Sequence, residues 1–341
     1  GRTGAVTPVA NLKPVLLAGT TVKRATLHNA NEIERLDLHL GDTILVEKGG
    51  EIIPKIISVN TSKRQAFAQP VIYPSICPEC STRLVREEGE VAFYCPNDEG
   101  CGPQIVGRIQ HFIGRKAMNI DGLGDETIDH FYKQGFLQQI SDLYTLYQKR
   151  DLLKNLERFG EKSIENMLAG IEASKQMPFE KVLFGLGIRF VGETVAKKLV
   201  AHFRTIDMLI NASLEELVAV DEIGERIAES VQRYFANSDH IHQLNLLQSY
   251  GLQFESIFKE VVLAGTQLEG KSFIISGVFE NRSREELKDL IESYGGKILS
   301  SISAKLSYVV AGANMGPAKL EKAQKLGIPI ISDEDLLAML A

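Results

Sequence analysis

No stretch of this 341-residue sequence approaches the 18 or more consecutive apolar residues that a membrane span needs; runs such as Pro14 to Ala18 and Val261 to Ala264 are only a few residues long. No secretory leader pattern is read at its start. An excess of positive charge is also lacking. Lys and Arg number 38 against 44 Asp and Glu, a net charge of −6 with no basic tail. A general cationic field, the commonest route to nucleic acid or an anionic membrane, is therefore excluded as a binding principle. Cysteine is nearly absent too, with four in the whole chain, too few for a disulfide scaffold. That usage points to a reducing compartment, and the expected location is the cytoplasm.

What is present is a shape repeated four times. A short turn ending in glycine runs into helix-forming sequence at Ile120-Asp121-Gly122-Leu123-Gly124, Leu156-Glu157-Arg158-Phe159-Gly160, Ile188-Arg189-Phe190-Val191-Gly192 and Val220-Asp221-Glu222-Ile223-Gly224. The final glycines lie 36, 32 and 32 residues apart. A glycine turn opening a helix exposes backbone N–H groups at the positive end of the helix dipole, which suits a phosphate. Four at near-equal spacing suggest helix-hairpin-helix units that track a nucleic-acid backbone. Gly122, Gly124, Gly160, Gly192 and Gly224 are the expected backbone contacts. Arg158, Lys162, Arg189, Lys197 and Arg226 are the adjacent cations that can make charge-assisted bonds. Only the first turn has both glycines. In the others Arg158, Phe190 and Glu222 replace the earlier one, and Glu222 is expected to repel phosphate. For any single turn a plain helix cap is the competing explanation.

The region holding these turns, 105–258, carries 17 basic against 21 acidic residues and is the most acidic part of the chain. Backbone amides and a few local cations must then do the work. Such contacts position a duplex without reading its sequence.

The four cysteines follow the pattern Cys77-Pro78-Glu79-Cys80, fourteen residues, Cys95, five residues, Cys101. Two thiolate pairs at this separation match a closed, structural Zn²⁺ site. The second pair is longer than a standard knuckle, and two disulfides are the alternative. A closed tetrahedron has no open position, so this zinc would not be catalytic.

The chain divides into expected segments: a small β-barrel over 1–70, a four-cysteine zinc finger over 71–104, an all-α region with the four turns over 105–258, a linker over 259–268, and an α/β domain over 269–341. In the first, Val9 to Val15, Thr20 to Leu27, Thr43 to Lys48 and Glu51 to Val59 read as strands, the last two joined at Gly49-Gly50. Asn31 is read as the cap of a short helix ending at Leu36. Strands around one helix suggest an oligonucleotide-binding (OB) barrel; an SH3-like barrel would read similarly. In the last segment, Ser283 with Glu286 forms a capping box, Asp333 is read as the cap of a final helix, and the order β-α-β-β-α-β-α implies a small parallel sheet.

With these motifs in order, the chain resembles the C-terminal portion of the bacterial NAD-dependent DNA ligases. The motifs carrying the resemblance begin with Gly1-Arg2-Thr3-Gly4-Ala5-Val6-Thr7-Pro8-Val9-Ala10, Ala25-Thr26-Leu27-His28-Asn29 and Gly49-Gly50-Glu51-Ile52-Ile53-Pro54. The four cysteines, Met118-Asn119-Ile120-Asp121-Gly122-Leu123-Gly124 and Gly295-Gly296-Lys297 complete them. The resemblance implies a multi-domain protein of OB barrel, four-cysteine zinc finger, helix-hairpin-helix domain and BRCT domain. It also implies an enzyme that seals 3′-OH/5′-phosphate nicks in replication and repair through ligase-AMP and DNA-adenylate intermediates, with NAD and Mg²⁺ as cofactors. The lysine that carries AMP should lie in a Lys-x-Asp-Gly motif. Here Asp121-Gly122 follows Asn119-Ile120, so no catalytic residue is expected in this chain. The start at Gly1 reads as a cut inside a longer protein, and the piece alone is expected not to react with NAD.

The implied partners are nicked duplex DNA and an N-terminal adenylation domain in cis, with the protein a monomer and no membrane contact. By the same resemblance, Arg2, Thr3, Lys48, Ile52 and Ile53 of the barrel sit at the minor groove around the nick. Arg2, so near the chain start, is expected to be disordered. In the BRCT segment, Ser276-Gly277 and Lys319 could mimic a phosphopeptide pocket, but the usual tryptophan of the last helix is missing, and a structural or weak DNA-contact role is the expected one. A stand-alone DNA-binding repair scaffold is the alternative function. A nuclease built around Asp121, Asp125 and Asp129 is a third, and it lacks a suitable constellation.

Overall fold

The computed structural model describes residues 1–17, 19–48, 54–156, 159–256, 265–279, 282–299, 301–303, 306–313 and 315–340. The chain forms two compact units, Gly1–Ser256 and Ile257–Ala341. Among the described residues, no helix is long and apolar enough to cross a membrane.

The first unit opens with β1 (Ala5–Val6), β2 (Val9–Leu17) and β3 (Thr20–Thr26). A short helix α1 (Ala30–Arg35) follows, then β4 (Ile44–Lys48) and β5 (Pro54–Val59). The sheet order is β2-β3-β5-β4. It is antiparallel except where Thr26 of β3 meets Lys55 of β5. Ala25, Leu27, Ile33, Leu38 and Ile56 fill the space between this sheet and α1. The helix is capped by Asn29, not by Asn31 as the sequence suggested. Asn29 is extended, and its side-chain oxygen accepts from the Glu32 amide at 3.1 Å, whereas Asn31 lies inside the helix. The hairpin tip at Gly49-Gly50 lies outside the described residues.

The cysteine segment adds only β6 (Phe93–Tyr94), and it pairs with β1. The first residues of the chain are therefore part of the zinc-finger region as well as of the barrel. Gly4 makes this possible. It has a positive φ of +75°, and a Cβ there would sit 2.5 Å from the Cys95 carbonyl oxygen. The Cys95 amide donates to the Gly4 carbonyl at 2.8 Å.

Helices then dominate. In order they are α2 (Gly102–Ile113), α3 (Asp125–Lys133), α4 (Arg150–Lys154), α5 (Glu161–Ser174), α6 (Phe179–Gly185), α7 (Glu193–Phe203), α8 (Ile206–Ile210), α9 (Leu214–Val218), α10 (Glu225–Phe235) and α11 (Ser238–Ser249). A 3₁₀ segment spans Ile140–Lys149. The apolar positions recur at helical spacing, as Ile105, Ile109 and Phe112 in α2 or Ala196, Leu199, Val200 and Phe203 in α7. They merge into one continuous core running from Ile105 to Phe254. Successive helix pairs share this core, which holds the four turns on one scaffold.

The second unit is a parallel sheet of order β10-β9-β7-β8, built from β7 (Ser272–Ser276), β8 (Lys297–Ile298), β9 (Tyr308–Ala311) and β10 (Ile330–Ile331). Helices α12 (Arg284–Ser293), α13 (Pro317–Lys325) and α14 (Asp333–Ala338) cover it. Neighbouring strand residues face opposite cores. Phe273 and Val310 pack with Leu287, Ile291 and Leu336, while Ile274 and Val309 pack with Ala323 and Ile328. A sheet covered on both faces accounts for the unbroken apolar runs in its strands. Ser283 and Glu286 make the expected capping box. The last helix is capped by Ser332 instead of Asp333, because Ser332 is extended and accepts from the Asp335 amide. Leu268, at the end of the stretch read as a linker, is fully buried in this unit's core.

Candidate metal centre and nucleic-acid interface

The thiols of Cys77, Cys80, Cys95 and Cys101 converge within 4.8 Å of one another, and none forms a disulfide. Cys77 and Cys101 Sγ are 4.0 Å apart, and Cys80 and Cys95 Sγ 3.4 Å. Four thiolates around a Zn²⁺ at about 2.3 Å form a tetrahedron with edges of about 3.8 Å, so the donor set fits that ion. The Cys77 and Cys101 residues are buried, and so is Cys95. Burial raises the thiols of Cys95 and Cys101, while contact with Thr82 lowers that of Cys80. A cation must therefore displace protons from buried sulfur, which makes metal binding weaken as pH falls.

The four turns share one geometry wherever they are described. Gly124, Gly160, Gly192 and Gly224 are each the N-cap of the following helix, α3, α5, α7 and α10. Their φ values lie between −82° and −112°, which any residue adopts. A Cβ at any of the four would meet nothing within 4 Å. Within the chain, then, neither conformation nor packing calls for glycine at these caps. Ser, Asp or Asn would cap a helix better.

Two residues earlier the backbone is left-handed at Gly122 (φ +83°), Phe190 (φ +67°) and Glu222 (φ +64°). Residue 158, the corresponding position of the second turn, lies outside the described residues. Gly122 has a structural reason of its own, since a Cβ there would lie 3.0 Å from the Met167 Cα of α5. At Phe190 and Glu222 the same turn is made without glycine, at a cost of roughly 1–2 kcal/mol each. The acid expected to repel phosphate is paired: Lys198 of α7 lies 2.9 Å from Glu222 and 2.7 Å from Asp221, one cation shared by two acids.

Of the expected cations, Arg189 and Arg226 share Glu90 of the zinc-finger region, and the Arg226 side chain stays 65% exposed. Arg189 Nη2 donates to Glu90 at 2.7 Å, and Arg226 donates to the same carboxylate. Arg233 pairs with Glu87 at 3.1 Å. The Arg189 guanidinium also lies over Tyr94 at 4.4 Å and over Phe190 at 4.8 Å, and that of Arg226 lies over Phe190 at 4.4 Å. Lys197 is exposed beside Glu193, at 3.6 Å. Lys162, in the first turn of α5, is exposed. None of Glu87, Glu90 and Tyr94 carries a local sequence signal, because their partners lie about a hundred residues away.

Arg2 is a further correction. It is ordered and half-buried, its backbone against Gly107 of α2 and its Nη1 3.4 Å from the Gly187 carbonyl. It lines a groove of about 880 Å³ with Thr3, Arg108, Arg189, Phe190 and Gly192. Nearby, Glu99 and Asp98 of the cysteine loop meet Arg108 and His240 at 3.2–3.9 Å. Burial opposes protonation of His240, but these acids and the Tyr234 carbonyl outweigh it and raise its pKa. Lys48 ends β4 opposite Pro54. Its side chain, and all of Ile52 and Ile53, lie outside the described residues. In the second unit Ser276 is buried, so its hydroxyl is not offered at the surface, while Lys319 is exposed.

Burial alone would raise the Glu90 carboxyl, but hydrogen bonds from Arg189, Tyr94 and Arg226 hold it below the usual carboxylate range. Its contribution to stability is thus complete above about pH 4.3, the unfolded value, and is lost as pH falls through the lower folded value. Glu90→Ala is expected to lower stability at pH 7 by about 2 kcal/mol, since it leaves two guanidinium groups without their shared acceptor. Thermal melting at pH 7 and pH 3 checks this: the difference between variant and parent should shrink at the lower pH.

Residues 1–68 match the NAD-dependent DNA ligase OB-fold domain, and residues 77–102 the NAD-dependent DNA ligase C4 zinc finger domain. Residues 181–244 match the helix-hairpin-helix motif, and residues 264–340 the BRCA1 C-terminus (BRCT) domain. Among similar curated proteins, a DNA ligase of Cytophaga hutchinsonii is 58% identical over 341 residues. DNA ligases of Flavobacterium johnsoniae and Phocaeicola vulgatus are 57% and 56% identical over 340 residues. All of this chain is covered in each case, and it spans 51% of the length of each relative.

Proposed function

The chain is built from the C-terminal domains of a NAD-dependent DNA ligase, and we propose that it is the part of that enzyme that grips nicked duplex DNA. The observation that carries this reading is the set of four N-cap glycines with open space where a side chain would be. A residue type that the fold does not require, repeated at four helix starts, is explained by an outside group that must come close to the backbone. A phosphate oxygen is that group. Each helix end attracts such an anion by roughly 0.3–1 kcal/mol, so several together are needed.

In the whole enzyme, an upstream lysine would take AMP from NAD and pass it to the 5′ phosphate of a nick. The 3′ hydroxyl would then attack that phosphate and release AMP, with Mg²⁺ offsetting the phosphate charge. This chain holds none of those groups. Its own residues would bind and orient the duplex: the turn amides on one stretch of backbone, Arg2 and Thr3 at the groove edge, and the barrel at the nick. The expected setting is cytoplasmic, in replication and repair, with the protein a monomer. The segments 1–70, 71–104, 105–258 and 269–341 would be its four working parts.

Binding of the full chain to nicked, intact and single-stranded DNA of equal length, at two salt concentrations, tests the reading. Duplex should bind more tightly than single strands, the nicked form most tightly, and all forms more weakly at high salt. Because many of the donors are neutral amides, the salt dependence should be shallower than the number of phosphates contacted would imply. Absence of duplex binding would defeat the reading.

A further inference from the structure

Turn 3 differs from the others in what it offers a ligand. Its left-handed position is held by Phe190, which keeps 39% of its surface exposed. The ring opens onto the groove that Arg2, Arg108 and Gly192 also line. Two guanidinium groups lie within 4.8 Å of its centroid, and the bare N-cap of α7 is two residues away. A site for phosphate alone needs only amides and cations. A partly exposed aromatic ring beside them suits a ligand with an apolar surface next to each anion, which is the sugar–phosphate repeat of a nucleic acid.

We propose that Phe190 is a DNA-contacting residue whose ring presses on a deoxyribose of the duplex while the α7 amides hold the adjoining phosphate. This deepens the reading given above and rests on it. In the first turn Gly122 leaves the equivalent place without a side chain, and in the fourth Glu222 is tied to Lys198, so the apolar contact belongs to turn 3. The backbone strain at Phe190 is retained because it aims the ring outward. The adjoining ion pairs with Glu90 hold both arginines beside the ring.

The test compares the full chain with Phe190→Gly and Phe190→Leu on nicked duplex, over a range of salt. Glycine adopts the left-handed conformation without strain, so the variant should melt no lower than the parent by more than a few degrees. Its affinity should fall roughly fivefold, with leucine in between. The slope of log affinity against log salt should stay the same, because an apolar contact releases no counterions. Unchanged affinity in Phe190→Gly would overturn the proposal. So would a loss accompanied by a shallower slope, which would mean that the ring acts only by holding the arginines. If the glycine variant does not fold, the leucine variant carries the same comparison. A parent chain that fails to bind duplex at all would overturn the underlying clamp reading, a result visible before any variant is made.

Discussion

Cys80→Ser is expected to release the metal and unfold the segment around residues 77–101. Three thiolates cannot close a tetrahedron around Zn²⁺, and this segment has little core besides the cysteines, with Leu84 the one other buried apolar residue in its cluster. Structural zinc contributes on the order of 10 kcal/mol to domains of this kind, so the loss should be complete rather than partial. The damage should also spread. Cys95 is hydrogen-bonded to Gly4 at the start of the barrel, and Glu87 and Glu90 hold Arg189, Arg226 and Arg233 of the helical region. DNA affinity should therefore fall together with zinc content. Zinc analysis, limited proteolysis and the binding assay check the three parts. If metal and affinity both survive, the assignment of these cysteines is wrong. In the unaltered chain, zinc affinity should drop as pH is lowered, because buried Cys95 and Cys101 hold their protons more firmly than free thiols.

Gly192→Thr should lower affinity for duplex DNA by at least about tenfold, or ~1.4 kcal/mol, while leaving the melting temperature nearly unchanged. Threonine and glycine are similar as N-caps, and a Cβ at this position meets nothing in the protein. The added branch would stand where the phosphate must approach. Gly170→Thr is the contrasting control. A Cβ there would lie 2.3 Å from the Asp121 carbonyl oxygen, so that substitution should destabilise the helical region itself. Affinity unchanged in Gly192→Thr would remove this turn from the interface.

Elements set by local chemistry were legible in the sequence. The cysteine spacing pointed to one metal centre, because the pattern of ligands is written into neighbouring residues. The helix starts at Gly124, Gly160, Gly192 and Gly224 and the capping box at Ser283 were readable for the same reason. The errors were short in range: Asn31 for Asn29 and Asp333 for Ser332. In each case two competent capping residues stand near one another, and only the backbone angles decide which lies outside the helix.

The charges were another matter. Arg189 and Arg226 read as cations beside their turns, and Glu222 as an acid that would repel phosphate. In the structure the two arginines share Glu90, and Lys198 is shared by Glu222 and Asp221. Arg2, expected to be loose, is packed between α2 and the Gly187 turn. By itself, the sequence determined the kind of domains, the metal ligands and the repeated helix openings, since those follow from contacts between near neighbours. Only the tertiary structure decided which acid meets which base and which aromatic ring stays exposed. The arginine pairings with Glu90 and Glu87 join residues 99 to 146 positions apart, and nothing in either local sequence names its partner.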